Sequence, residues 1–285
     1  MKTPRIGFIG QGWIGKNYAD DFENRGYSVV RYGIEAAYRK NKSRIATCDI
    51  VFIAVPTPTT PQGFDDSILR SVIPLVGKKK IAVIKSTLPV GRTRVLQRDF
   101  PDQIVIHSPE FLSERTAAYD AAHPDRTIIG VPFLNEQYKK HAKTIISTLP
   151  NAPYTLVCTS DEAEFIKYSH NINGYIQVVF SNLLYDTATA FGMDWQVLSQ
   201  AFGADPFMSH RYLKPVDNNG RGAGGHCFIK DFEAFIELFR ASVPDPKALQ
   251  VLESIRNKNI ELLLESGKDL DLLEGVYGKA IRSRT

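Results

Sequence analysis

Residues 5–24 carry the feature that most narrows the fold. A short strand-like run, Arg5 to Ile9, leads into Gly10-Gln11-Gly12-Trp13-Ile14-Gly15, and Trp13, Ile14, Tyr18 and Phe22 then recur at helical spacing. The pattern G-x-G-x-x-G is weak alone, but between a strand and a helix it has a mechanical meaning. The first glycine permits a tight turn, the second lets backbone approach a pyrophosphate, and the third lets helix and strand pack closely. The helix N-terminus adds unpaired N–H groups and a partial positive charge. A dinucleotide-binding turn made by Gly10, Gly12, Trp13, Ile14 and Gly15 is the expectation.

The alternation continues through the first half. Segments 27–32, 49–55, 80–86, 104–107, 127–131 and 155–158 are short and rich in β-branched residues, and helical spacing falls near 66–76, 91–99 and 135–148. This predicts an α/β domain over 1–159, a doubly wound, mostly parallel sheet of the Rossmann type. In such NAD-binding sheets an acidic residue at the end of the second strand holds the adenosine ribose. Gly33 takes that place here, with Glu35 two residues later and Arg31 and Arg39 nearby. Glu35 serves after a small register shift if NAD is the cofactor, which is the expectation; an arginine would favour a 2′-phosphate.

At about residue 159 the pattern changes. Between 161 and 191 there is no proline and one glycine, and Thr159, Ser160 and Asp161 offer N-caps. Such a helix spans roughly 45 Å, enough to join two domains or form a dimer seam. Further helices are expected near 194–202, 230–241 and 246–266, with a glycine-rich loop at 217–226 and a loose basic tail at 278–285. The second domain, 160–285, is therefore predicted to be all-α around a long central helix.

With 43% hydrophobic residues the chain can fill two cores. Its net charge of +4 is spread along the chain and argues against a nucleic-acid surface. The three cysteines are too widely spaced for a disulfide framework or a zinc cluster, and the histidines lack metal-ligand spacing, so no metal is expected. Cys48 and Cys158 lie in strand-like runs and read as core. No apolar run is long enough to span a bilayer and no signal-peptide form opens the chain, which predicts a cytoplasmic protein acting on a small molecule away from membranes.

Two loops, Ser86-Thr87-Leu88-Pro89-Val90-Gly91 and 108–114, end strands, and ligands of open α/β sheets collect at carboxyl ends. On the long helix Lys167 and Asn171 share a face. In Gly224-Gly225-His226-Cys227-Phe228-Ile229-Lys230-Asp231 a glycine turn runs into a helix, which puts Cys227 near a helix N-terminus, where thiolate is favoured. Asp231 lies one turn further on.

In order, Val55-Pro56-Thr57-Pro58, S-T-L-P-V-G, Pro109-Glu110-Phe111-Leu112 with Glu114, Lys167-Tyr168 with Asn171, and G-G-x-C-F-x-K-D resemble the UDP-glucose/GDP-mannose dehydrogenase family. The expectation is a short form without that family's C-terminal nucleotide-sugar-binding domain. The resemblance implies NAD-dependent oxidation of a sugar-nucleotide primary alcohol to a carboxylate, in two hydride transfers through a thiohemiacetal and a thioester on Cys227. It implies that Lys167 and Asn171 donate to the oxyanion, that Asp231 manages protons with Thr87, and that Glu114 is the general base. Val55, Pro56, Thr57, Ser86 and Thr87 would line the cofactor. Phe111, Leu112, Lys167, Asn171, Arg211, Gly224 and Lys230 would hold substrate, and a homodimer would form through 161–191. The alternatives are a β-hydroxyacid dehydrogenase acting on a smaller hydroxy acid, which would need no cysteine, and a non-catalytic cofactor-binding regulator.

Overall fold

The computed structural model describes residues 3–208 and 210–284 and divides into two compact units. One comprises Met1–Thr57 with Asp65–Lys167, the other Pro58–Phe64 with Tyr168–Thr285.

The first unit opens with β1 (Ile6–Ile9), α1 (Trp13–Asn24), β2 (Val29–Tyr32), α2 (Ala36–Arg39) and β3 (Ile50–Ile53). The chain next makes the hairpin β4 (Thr59–Thr60) and β5 (Gly63–Phe64), which is grouped with the second unit. It returns through α3 (Ser67–Val72), β6 (Ile81–Ile84), α4 (Arg92–Asp99), β7 (Ile104–His107), α5 (Ala117–Ala122), β8 (Arg126–Val131), α6 (Glu136–Ile146) and β9 (Tyr154–Thr159).

Seven strands form one sheet in the order β2-β1-β3-β6-β7-β8-β9. The first five are parallel; β8 pairs antiparallel with β7, and β9 runs parallel to β8. Strands β1, β3 and β6 are buried at every position, which explains their unbroken apolar sequences: helices cover both faces. Phe8 stacks on Phe52 at 5.1 Å and meets Phe22 of α1 edge-on at 5.4 Å. Because β2 lies on one side of β1 and β3 on the other, the order reverses at β1. Ligands of open sheets bind outside the carboxyl ends at such a point.

The long helix α7 runs Ser160–Ala190, close to its predicted limits. Its first turns are grouped with the sheet. Gly130 of β8 explains why: a Cβ there would come within 2.4 Å of the Ala163 Cβ and 2.9 Å of the Ser160 Cα. The division between units thus falls inside α7, about two turns beyond the expected boundary at 159/160.

After α7 come α8 (Trp195–Ala204), the hairpin β10 (Val216–Asp217) and β11 (Gly220–Arg221), α9 (Gly225–Ser242), α10 (Pro246–Ser266) and α11 (Leu270–Tyr277). Helix α9 packs on α7 at Gly174, the one glycine of the long helix, where a Cβ would lie 2.7 Å from the Phe228 ring. One turn on, Tyr175 and Phe232 stack with centroids 3.9 Å apart.

The second unit is the expected helical region around α7, and besides its helices it carries the hairpin β10–β11, which turns on Asn218 and Asn219, both left-handed, and β4, which packs against α9 and α11. Helices α2, α5 and α11, of four to eight residues, were too short to give a periodic signal. The tail at 278–284 is not loose: Ile281 is buried in the cluster formed with Ile229, Leu263 and Leu273, and Arg282 pairs with Glu274. Thr285 lies outside the described residues. Among those described, no helix is long and apolar enough to cross a membrane.

Candidate active site

At the glycine turn the structure separates two kinds of glycine. Gly10 is left-handed (φ 90°), and a Cβ there would lie 2.1 Å from the Ala54 carbonyl oxygen at the end of β3. A Cβ on Gly15 would lie 2.0 Å from the Gly10 oxygen. The chain itself requires both. Gly12, the exposed N-cap of α1, meets nothing within 4 Å and makes no side-chain cap. Its lack of a side chain suits a group laid on the helix N-terminus, where the first N–H groups have no helical acceptors. Trp13 and Ile14 are half-buried in that first turn, and Ile14 packs on the core.

Gln11 is buried; its Nε2 donates to the Gly10 carbonyl at 3.0 Å, and its Oε1 has no partner among the described residues. Beside it, a Cβ on Gly33 would meet the Glu35 Oε2 at 2.1 Å and the Gln11 Cγ at 3.2 Å. The Glu35 carboxylate therefore folds back over the end of β2. Arg31 is 9% exposed and held by Glu23 at 2.6 Å and Asp20 at 2.7 Å. Arg39 donates twice to the Ile34 carbonyl, at 2.6 and 3.2 Å. Both arginines are engaged, and acceptors crowd the turn. The arrangement fits the two hydroxyls of an NAD ribose better than a 2′-phosphate.

The next loops are locked together. Ser86 Oγ donates to the Val55 carbonyl at 2.7 Å and accepts the Val55 N–H at 3.0 Å, while Thr57 Oγ1 donates to the Thr87 carbonyl at 2.9 Å. Thr57, Ser86 and Thr87 are buried; Pro56 is exposed.

Beneath them lies a polar cluster. Lys85 Nζ donates to Ser108 Oγ at 3.1 Å and sits 4.5 Å over the Tyr18 ring. Burial pushes its pKa down to about 8, with Glu110 opposing and Lys167 adding to the effect. His107 places Nδ1 3.1 Å from the Ile84 carbonyl, so that nitrogen carries the proton. Burial pushes its pKa down to about 3, leaving a neutral imidazole whose Nε2 has no partner among the described residues.

Lys167 Nζ donates to Glu110 Oε1 at 2.9 Å, and Glu110 Oε2 accepts the Leu112 N–H at 2.7 Å. The ammonium lies 5.6 Å from the Phe111 ring, which Arg126 covers at 3.9 Å. One turn before Lys167, Glu164 accepts the N–H groups of Gly91 and Thr93 and the Thr93 hydroxyl at 2.6–2.7 Å, which anchors α7 to the start of α4. Burial pushes its pKa up to about 7, and those three hydrogen bonds oppose the rise. Glu114 is exposed. The carboxylate that meets Lys167 is Glu110.

In the second unit, Asn171 Nδ2 donates to Asp231 Oδ2 at 2.6 Å, and Lys230 Nζ reaches Asp231 Oδ1 at 2.6 Å. Lys230 is thus committed to Asp231. Cys227 is the third residue of α9 and half-buried, and Asp231 follows one turn later on the same face. Cys48 and Cys158 are buried, and burial pushes both thiols up to about 11. Arg211 is exposed in a 3₁₀ turn.

Lys85, Glu164, Asn259 and Asp269 were not singled out from the sequence. A lysine closing the apolar run Ile81-Ala82-Val83-Ile84, and a glutamate three residues before Lys167, were signals of a kind. Asn259 and Asp269 act through tertiary contacts and left none.

Comparison with known proteins identifies two domains of one family in this chain. The NAD-binding domain of the UDP-glucose/GDP-mannose dehydrogenase family matches residues 35–149, and that family's central domain matches 161–260. A UDP-glucose 6-dehydrogenase of Bacillus subtilis is 28% identical over 264 residues, 88% of this chain; the chain spans 57% of that relative's length. In fold, the chain is similar to a UDP-glucose dehydrogenase from the archaeon Pyrobaculum islandicum, with a TM-score of 0.76 and 24% identity over 93% of this chain and 70% of the other. It is also similar to 3-hydroxyisobutyrate dehydrogenase of Mycobacterium tuberculosis, with a TM-score of 0.71 and 15% identity over the whole of both chains. With both domain matches in sequence order, behind a glycine turn built for a dinucleotide, the chain belongs to the UDP-glucose/GDP-mannose dehydrogenase family.

Proposed function

We propose that the protein oxidises the primary alcohol of a sugar nucleotide to a carboxylate, with Cys227 as the covalent nucleophile. The observation that carries this is Cys227 in the first turn of α9, one turn from an Asp231 already bonded to Asn171. Bound NAD⁺ supplies the hydride acceptor, two equivalents for each carboxylate formed.

The alcohol carbon loses a hydride and its oxygen a proton, giving an aldehyde; Asp231 takes the proton. The Cys227 thiol then adds to the carbonyl carbon and its proton passes to the former carbonyl oxygen. The resulting thiohemiacetal has a C–H that can leave as hydride, which a bare aldehyde lacks in useful form; it loses that hydride to the second NAD⁺ and its hydroxyl proton to solvent by way of Asp231, leaving a thioester. Water attacks the thioester, a carboxylate of the 108–114 loop takes its first proton, and the C–S bond breaks to expel the thiolate, which becomes the thiol with the proton that the product acid gives up as it ionises. Glu110, buried against Lys167, suits that role better than the exposed Glu114. Lys167 and Asn171 stabilise the oxygen while it carries negative charge, where preorganised donors act most strongly.

A homodimer through α7 accompanies this reading. Phe180 and Leu183 are exposed apolar residues on that helix and Phe191 follows just past its end, and sedimentation of Leu183→Glu against the parent chain tests it. The fold shared with a hydroxy-acid dehydrogenase keeps a smaller hydroxy acid as the second reading, although that chemistry gives Cys227 no task.

The decisive assay offers NAD⁺ with UDP-glucose, UDP-N-acetyl sugars and GDP-mannose in parallel. Two NADH per sugar, abolished by Cys227→Ala, is the expected result. Binding of NAD⁺ without turnover of any sugar nucleotide would shift the assignment to a smaller hydroxy acid.

A further inference from the structure

Asp269 stands between α10 and α11, beyond the last residue matched by the family's central domain. Its backbone is left-handed (φ 53°), a conformation that side chains other than glycine adopt rarely. Although it is the N-cap of α11, its side chain makes no cap there. The carboxylate turns to α9 instead. Oδ2 accepts the Gly225 N–H at 2.7 Å, and a Cβ on Gly224 would lie 2.0 Å from that same oxygen. A side chain at Gly224 would have to push the Asp269 carboxylate out of this place.

Neighbouring side chains grip the rest of the loop. Ser266 Oγ accepts the Arg221 N–H at 2.9 Å, and Lys268 Nζ donates to the Gly222 carbonyl at 3.1 Å. Asn259 accepts the Ala223 N–H at 2.6 Å and returns a hydrogen bond to the Ala223 carbonyl at 3.0 Å. Backbone at Arg221, Gly222, Ala223 and Gly225 is therefore held from α10 and the turn after it, and the next residues are His226 and Cys227.

We propose that Asp269 is a positioning residue for Cys227: its carboxylate fixes the first turn of α9 and sets the charge at the helix end where the thiol stands. This rests on the reading of Cys227 as nucleophile. A bare helix N-terminus favours thiolate. A carboxylate bonded to the first N–H offsets part of that effect and keeps the thiol protonated to a higher pH. Lys268, His226 and the Lys230–Asp231 pair are the charged or titratable groups closest in sequence to this turn. Glu233 lies further along α9, with Arg256 of α10 and Tyr277 of α11 on it. The β4–β5 hairpin contributes no charge of its own.

The test is the pH dependence of iodoacetamide alkylation, read by mass spectrometry on the Cys227 peptide of the full chain. Asp269→Asn keeps an acceptor and a side chain tolerant of the left-handed region but removes the charge; its midpoint should fall by about half a pH unit at an unchanged Tm. Asp269→Ala should shift the midpoint likewise and speed hydrogen exchange at Gly225. A midpoint in Asp269→Asn equal to the parent's overturns the proposal, whatever becomes of the stability of Asp269→Ala. Alkylation needs no turnover, so failure of the sugar oxidation assay would leave this result standing, and the reverse also holds.

Discussion

Lys167 and Glu110 form a 2.9 Å ion pair in which each partner is only 3% exposed. Such a pair is held by geometry, because desolvation of both charges offsets much of their attraction. Removing one partner is another matter. Lys167→Ala leaves the Glu110 carboxylate buried, and a loss of about 3–5 kcal/mol is expected, nearer the lower figure because Lys85 still faces the carboxylate. The double variant Lys167→Met/Glu110→Leu should recover most of that stability. Urea unfolding of the three proteins settles it; a double variant no more stable than the single would show that the pair itself holds the fold.

His107 gives a pH dependence whose sign is fixed. Its folded pKa, about 3, lies below the ordinary 6.5. Between those values the unfolded chain binds a proton that the folded chain does not. Stability from this group is therefore complete above pH 6.5 and lost as pH falls, by up to about 1.4 kcal/mol per unit. Glu164 works the other way: with its pKa raised to about 7, its contribution weakens as pH rises from 4.5. Comparing the parent with His107→Gln at pH 7, 6 and 5 isolates the imidazole, since Glu164 is common to both. The difference in unfolding free energy should change steadily with pH; a constant difference would mean that folding leaves the His107 pKa where it is in the unfolded chain.

Asn171 should matter to rate more than to affinity. Its amide gives one hydrogen to Asp231 at 2.6 Å, which leaves the second N–H for an oxygen that becomes negative during reaction. On the proposed chemistry, Asn171→Ala lowers kcat by about a hundredfold or more while KM changes little. A rise in KM at unchanged kcat would place Asn171 in ground-state binding instead. Asn171→Asp, which keeps the shape but sets two carboxylates together, should be at least as damaging.

Much of this was legible in the sequence because local patterns imposed it. Strands β1, β3 and β6 announced themselves as four-residue apolar runs, and α7 as thirty-one residues with one glycine and no proline. The inversion at β8 was not legible, since nothing within Arg126–Val131 records the direction of its neighbour. The site divided in the same way. Motif spacing picked out Cys227, Lys167, Asn171 and Asp231, all carried on helices. Glu110 and Glu114 lie four residues apart in one loop, and only the folded chain decides which of them meets Lys167. Asp269 was out of reach, because its partner is forty-four residues away and the short helix that follows it gives no periodic signal.

The three glycines of the first turn separate folding from cofactor binding. At Gly10 a methyl group would collide with the Ala54 carbonyl and be strained by the left-handed backbone; at Gly15 it would collide with the Gly10 carbonyl. Neither obstacle is the end of a flexible side chain, so Gly10→Ala and Gly15→Ala should lower Tm by several degrees, in keeping with a cost of about 1–3 kcal/mol each. At Gly12 the methyl meets nothing in the protein, and φ there is −66°, which any residue adopts. Gly12→Ala should leave Tm unchanged, or raise it slightly through the unfolded state. Its methyl would stand where the pyrophosphate must approach, so NAD⁺ affinity measured by calorimetry should fall at least tenfold. Full NAD⁺ affinity in a stable Gly12→Ala protein would mean that the dinucleotide does not lie on this turn.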